Sequence, residues 1–158
     1  MDKKTFLATL DAERTEWEHA FTLIEETQML QPGVQGEWSV KDLVAHVVWY
    51  EREMVNLLQR RSLEGGSPLW SHAAVKRNAR IDDENRERPL AEVLSEANDI
   101  FAELRELLEA LSDEDLNDPS RMEMPPEWQP WQVIAENTYE HYRHHRAALE
   151  IWRAAQSG

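Results

Sequence analysis

Apolar positions recur at three- and four-residue steps in four long segments of the chain, the spacing of amphipathic helices. The first predicted helix runs from about Lys3 to Gln28, with Phe6, Leu10, Trp17, Phe21 and Ile24 on one face and Asp2 as a plausible N-cap. Pro32, Gly33 and Gly36 then interrupt the pattern. A second helix is expected from Ser39, which forms a capping box with Asp42 standing where Glu is usual. It carries Leu43, Val47, Met54 and Leu58, and Gly65, Gly66 and Pro68 close the region. Pro89 suits the first turn of a third helix, whose apolar face continues unbroken from Leu90 to Leu111. Ser112 to Leu116 reads as a short capped turn, and residues 117–130 form a proline-rich loop. The fourth helix is expected from about Trp131 to Ala155, on Val133, Ile134, Leu149, Ile151 and Trp152. No segment alternates with period two for long enough to make a strand.

Between the second and third helices, Leu69 to Arg88 is polar, with only Ala73, Ala74 and Val75 suggesting a short helix. A connection of this length is uncommon in a compact domain but expected where the chain crosses over a bundle, so that the flanking helices run parallel. The pattern therefore predicts an all-α four-helix bundle with a long crossover between helices 2 and 3. The 158 residues fit a single domain spanning 1–158.

Charge narrows the choice of partners. The chain has 31 acidic and 17 basic residues, a net charge of −14. The clusters Arg60–Arg61 and Lys76, Arg77, Arg80 are short and followed by acids, so no basic stripe suggests nucleic acid. No apolar run is long enough to cross a bilayer, and none near Met1 reads as a signal peptide. The absence of cysteine excludes disulfides and thiolate sites and suits a cytoplasmic protein. Seven tryptophans are many for this length; Trp128 and Trp131, among prolines, are candidates to line a pocket.

The middle of the fourth segment departs from an apolar stripe. Asn137, His141 and His145 are spaced by four, in a row that starts near Val133 and continues to Leu149, both apolar, so the row is expected to face inward. Two imidazoles one turn apart can chelate one divalent ion. His46, between Val44, Ala45, Val47 and Val48 on the second helix, is a third candidate, because a buried imidazole needs partners for its polar atoms. Taken singly, such a histidine is more often a hydrogen-bonded core residue, and four-spaced histidines often decorate a solvated face. His144 lies about a hundred degrees from the row and reads as rim. Tyr50 and Asn137, one turn from His46 and His141, are candidates to orient a ligand. Glu51, Glu53, Glu136 and Glu140 are each placed to reach a site edge.

The run Gly36-Glu37-Trp38-Ser39-Val40-Lys41-Asp42-Leu43-Val44-Ala45-His46 resembles the start of the second helix in DinB-like proteins. His141-Tyr142-Arg143-His144-His145-Arg146 resembles their C-terminal histidine motif, although many members continue with Gly and Gln where this chain has Ala147 and Ala148. Asn137, Tyr139 and His141 followed by Ile151 and Trp152 are similar to the ClbS/DfsB branch of that superfamily. The resemblance implies a four-helix bundle with a crossover and a metal triad of His46, His141 and His145 holding zinc or nickel. It also implies a thiol-dependent transferase or isomerase using a low-molecular-weight thiol, or the hydrolytic or resistance chemistry of the ClbS/DfsB relatives. Many members form homodimers.

Three functions follow. A metal held by the triad implies a metal-dependent hydrolase or thiol transferase acting on a small-molecule substrate. Alternatively, Trp38, Trp49, Trp128 and Trp131 near one end would make a metal-free binding or resistance protein. Last, an exposed helix face would serve a homodimer.

Overall fold

The computed structural model describes residues 1–157. In chain order the helices are α1 (Lys3–Thr22), α2 (Glu26–Met29), α3 (Val40–Arg60), α4 (Ala74–Asn85), α5 (Leu90–Glu109), α6 (Asp113–Asn117), α7 (Pro130–Glu136) and α8 (Tyr139–Gln156), with 3-10 turns at Pro68–Ser71 and Pro119–Met122. The described residues contain no strand, only an isolated bridge between Gln35 and Trp38.

Four long helices, α1, α3, α5 and α8, form the bundle, and their directions follow from the side chains that join them. Lys41 reaches the carbonyls of Arg86 and Arg88, Arg52 pairs with Glu96, and Gln59 bonds Glu103. Residue numbers rise together, so α3 and α5 run parallel, as the long crossover predicts. Glu13 meets Arg143 and Arg146, and the Ala20 carbonyl meets Arg153, so α1 and α8 are parallel as well. Lys3 against Glu109, Asp11 against Arg105 and Arg14 against Ala97 make α1 antiparallel to α5. The most extensive contacts are of α3 with α5 and of α1 with α8.

Sixteen of the 21 residues of α3 are buried, so it is the central rod of the bundle rather than a one-faced surface helix. Its start is fixed as the sequence predicts: Ser39 Oγ accepts from the Asp42 amide, and the Asp42 carboxylate accepts from the Ser39 amide. Arg61, in a left-handed conformation, ends it.

Three expectations change. The first helix stops at Thr22 rather than Gln28, and a separate turn, α2, follows; Ile24 and Met29 are nevertheless buried in the core. The crossover holds a twelve-residue helix, α4, anchored by Ile81 against Trp49 and Tyr50. Last, the fourth helix is broken. Asn137 Nδ2 donates to the Val133 carbonyl and Thr138 Oγ1 to that of Ile134. These side chains compete for carbonyls of the preceding turn, and Thr138 leaves helical geometry at φ −131°, ψ −102°. Asn137 thus caps α7, while His141 and His145 share α8, so the row of three is really a row of two.

Candidate metal centre

His46 comes from the N-terminal third of α3, and His141 and His145 from successive turns of α8. Their Nε2 atoms converge: His141 Nε2 lies 3.0 Å from that of His46 and 2.8 Å from that of His145. His46 and His145 are buried and His141 is half-buried. A neutral imidazole nitrogen has either one proton or one lone pair, so His141 Nε2 can make one good hydrogen bond, not two. The other contact is then left without a hydrogen bond of its own. A cation at the centre would take all three lone pairs at once. Tetrahedral zinc with nitrogen ligands at about 2.0–2.1 Å sets ligand nitrogens about 3.3–3.4 Å apart, so the observed spacings need to open by only a few tenths of an ångström. The donor set fits a divalent ion of the zinc or nickel kind.

Burial pushes all three imidazoles down to about 3, helped by His145 and Arg77 at His46, by His46 at His141, and by His141 at His145. All are therefore neutral at ordinary pH, the state in which a lone pair is free to bind a metal. Gln35 Oε1 stands 2.8 Å from His145 Nδ1. With Gln35 accepting there, Nδ1 carries the proton and Nε2 presents its lone pair. The Nδ1 atoms of His46 and His141 are buried without a protein partner.

Gln35 gave no signal in the sequence beyond its place in a turn. That turn is built by Gly36 at φ 59° and by the Gly33 and Val34 amides donating to the Trp38 carbonyl. It brings Gln35 and Trp38 to the same side, with the Trp38 ring 4.8 Å from that of His46. On the other side Tyr50 packs at 5.0 Å from His46 and 4.8 Å from His141. The crossover helix supplies what fixes Tyr50: its hydroxyl donates to Asn78 Oδ1 and accepts from Arg77 Nε. Asn137 and exposed His144 complete the wall of a small cavity of about 230 Å³ around the triad. Trp38, Tyr50 and Asn137, expected to contact a ligand, thus all line it, together with Glu136.

The other expectations fare unevenly. Glu51 does not reach the site: it is fully buried on the far side of α3, accepting from Arg14 and Tyr142. Glu140 pairs with Arg143 at the surface. The four tryptophans do not gather around one ligand space. Trp49 packs on Tyr50, Trp131 leans on the core, and only Trp128 lines the larger cavity, of about 690 Å³. That cavity shares Glu136 and Asn137 with the first and is also walled by Glu53 and Trp70.

No curated protein matches the chain. Its fold is that of several solved structures. An uncharacterised protein from Escherichia coli UTI89 is 16% identical, with 99% of this chain and 95% of that one covered at a TM-score of 0.79. DfsB, described as a sibling lethal factor precursor, is also 16% identical, with 99% and 97% covered at 0.81. The colibactin self-resistance protein ClbS, in complex with a dsDNA, is 13% identical, with 97% and 96% covered at 0.78. At such identities the likeness is one of fold alone. The family model for the DinB superfamily matches residues 9–148, from within α1 to within α8 and across all three histidines, and the chain belongs to that superfamily.

Proposed function

We propose that this chain is a single-domain, metal-dependent enzyme acting on a small molecule, a hydrolase or thiol transferase, with His46, His141 and His145 holding zinc or nickel. The observation that supports it most directly is the convergence of three neutral Nε2 atoms whose mutual contacts protons alone do not satisfy. A divalent ion there would supply Lewis acidity, lowering the pKa of a water or a thiol. The protein's own groups do the rest. Gln35 holds His145 in one tautomer, and Trp38 shields one flank from water. Tyr50, its hydroxyl held by Arg77 and Asn78, packs against the rings of His46 and His141. Asn137 and Glu136 stand where the small cavity meets the larger one, placed to orient a substrate. No helix among the described residues is long and apolar enough to cross a membrane. In this reading the protein works in the cytoplasm.

The test is metal content. Apoprotein dialysed against zinc or nickel should retain about one equivalent, and His141→Ala should lose it while keeping its helical circular dichroism. Wild-type protein that retains no stoichiometric metal overturns the reading.

A second reading, metal-free binding with a resistance role of the ClbS/DfsB kind, is supported by the larger cavity and by the fold shared with ClbS. The expectation that nucleic acid is no partner loses force, because ClbS is in complex with a dsDNA. The net charge of −14 still argues for a small molecule here.

A further inference from the structure

The larger cavity, about 690 Å³, is of the size that encloses a drug-sized molecule. It lies between the C-terminal half of α3, the turn at Pro68–Ser71 and the segment leading into α7. Its aliphatic wall is Met54 and Leu57 of α3, and two tryptophans stand at it, Trp70 and Trp128, 38% and 42% exposed. Its charges are unbalanced. Among the lining residues Glu53, Glu127 and Glu136 outnumber one cation, Arg60, whose Nε is already committed to the Glu64 carbonyl; Arg77 lies over the Trp70 ring from outside the lining.

Glu53 is the informative one, because only 7% of it is exposed. Its Oε2 accepts from the Ser67 amide and from Trp70 Nε1, at 3.0 and 2.9 Å, which pins the indole at the cavity wall. Its Oε1 has only a 3.5 Å contact with Asn56 on the same helix. A carboxylate this deeply buried normally has its acceptor capacity filled or a cation beside it. Here Oε1 keeps only that long bond, and Glu53 stands in the wall of a cavity flanked by indole rings, the surroundings that favour a desolvated organic cation.

We propose that this cavity binds a small organic cation with a flat apolar body, and that this is the substrate class presented to the histidine triad through the shared wall at Glu136 and Asn137. Calling the occupant a substrate rests on the triad being a reaction centre; the charge selection does not. The acidic lining disfavours a carboxylate-bearing thiol as co-substrate, and so, of the two chemistries proposed, favours hydrolysis.

Three probes that share a naphthylmethyl body test it by calorimetry: (1-naphthylmethyl)trimethylammonium, neutral 1-naphthalenemethanol and anionic 1-naphthaleneacetate. The cation should bind saturably and at least tenfold tighter than the alcohol, with no measurable binding of the anion. Glu53→Gln should remove most of that preference. Because Glu53 is buried and its variant risks misfolding, the exposed pair Glu127→Gln and Glu136→Gln is the second arm and should reduce the preference several-fold. Equal affinity for cation and alcohol, binding of the anion as tight as the cation, or no binding of the cation overturns the proposal. The same titration on His141→Ala should leave the preference unchanged, so failure of the metal reading and failure of this one are told apart.

Discussion

Replacing Arg14 with methionine should be among the most damaging changes available in this bundle. Arg14 is 3% exposed and joins all four long helices. From α1 its guanidinium donates to Glu51 of α3 at 2.6 Å, to the Ala97 carbonyl of α5 at 2.9 Å, and lies beside the Tyr142 hydroxyl of α8. It also sits 4.3 Å from the centre of the Phe101 ring. Burial acts to lower the Arg14 pKa, but Glu51 and Tyr142 outweigh it and raise it, so the cation persists. Burial raises the Glu51 pKa against the pull of Arg14, and burial together with Glu51 keeps Tyr142 a phenol. Removing Arg14 strands Glu51, which is wholly buried and has one oxygen, Oε2, without a partner even now. Breaking a buried pair from one side costs about 3–5 kcal/mol. Loss of the added bond to the Ala97 carbonyl contributes about 1 kcal/mol more. For a chain of this size that is a fall in Tm of roughly 10–20 °C. Urea unfolding followed by circular dichroism measures it. The triple variant Arg14→Met, Glu51→Leu, Tyr142→Phe removes the buried carboxylate and phenol together with the cation and should recover at least half of the loss. A cost below about 1 kcal/mol for Arg14→Met, or a triple variant less stable than the single one, refutes the reasoning.

Acid should unfold the metal-free protein early. Because the folded-state pKa values of His46, His141 and His145 lie near 3, below the unfolded value, stability is full above about pH 6.5 and falls as pH drops toward 3. Each histidine contributes up to about 1.4 kcal/mol per pH unit. Urea midpoints between pH 7.5 and 4.5 should show this slope, and it should flatten in His46→Ala; an unchanged slope counts against the buried neutral triad. Gln35→Ala should leave the fold intact but weaken zinc binding about 10–100-fold in competition titrations, as loss of a ligand's outer hydrogen bond does. Equal affinity would show that Gln35 does not set the His145 tautomer. Gly36→Ala meets no atom within 4 Å, so its cost is backbone alone, roughly 1–2 kcal/mol for a left-handed residue. It should lower thermal stability by that amount and loosen the turn that carries Gln35 and Trp38. A neutral substitution would mean that the turn tolerates another conformation.

Local rules made some parts legible and long-range ones hid the rest. Ser39 and Asp42 satisfy each other within three residues, so the start of α3 can be read directly. His141 and His145 share one uninterrupted helix, so their four-residue spacing places them correctly although the helix breaks just before them. The break itself was hidden because Asn137 and Thr138 are compatible with a helix by pattern, and only their competition for the Val133 and Ile134 carbonyls decides against it. Gln35, Arg77 and Asn78 carry no periodic signal at all; a turn and a crossover deliver them to the site. Arg14 did leave a trace. It continues the four-residue row of Phe6 and Leu10, a cation in a line of core positions, and so does Glu51 next to Tyr50 on a helix that is buried nearly all round.

The parallel pairing of α1 with α8 bears on how the chain comes together. Glu13 finds Arg146 only after 133 further residues have been added, and Ala20 waits as long for Arg153. An emerging chain therefore carries Phe6, Leu10 and Trp17 with part of their cover still unsynthesised, the situation in which nascent proteins lean on chaperones. Such distant pairing also predicts slower folding than for an up-and-down bundle of equal size. Since His46 and His141 meet across the same late closure, metal uptake would report completion of the whole molecule and not of any fragment.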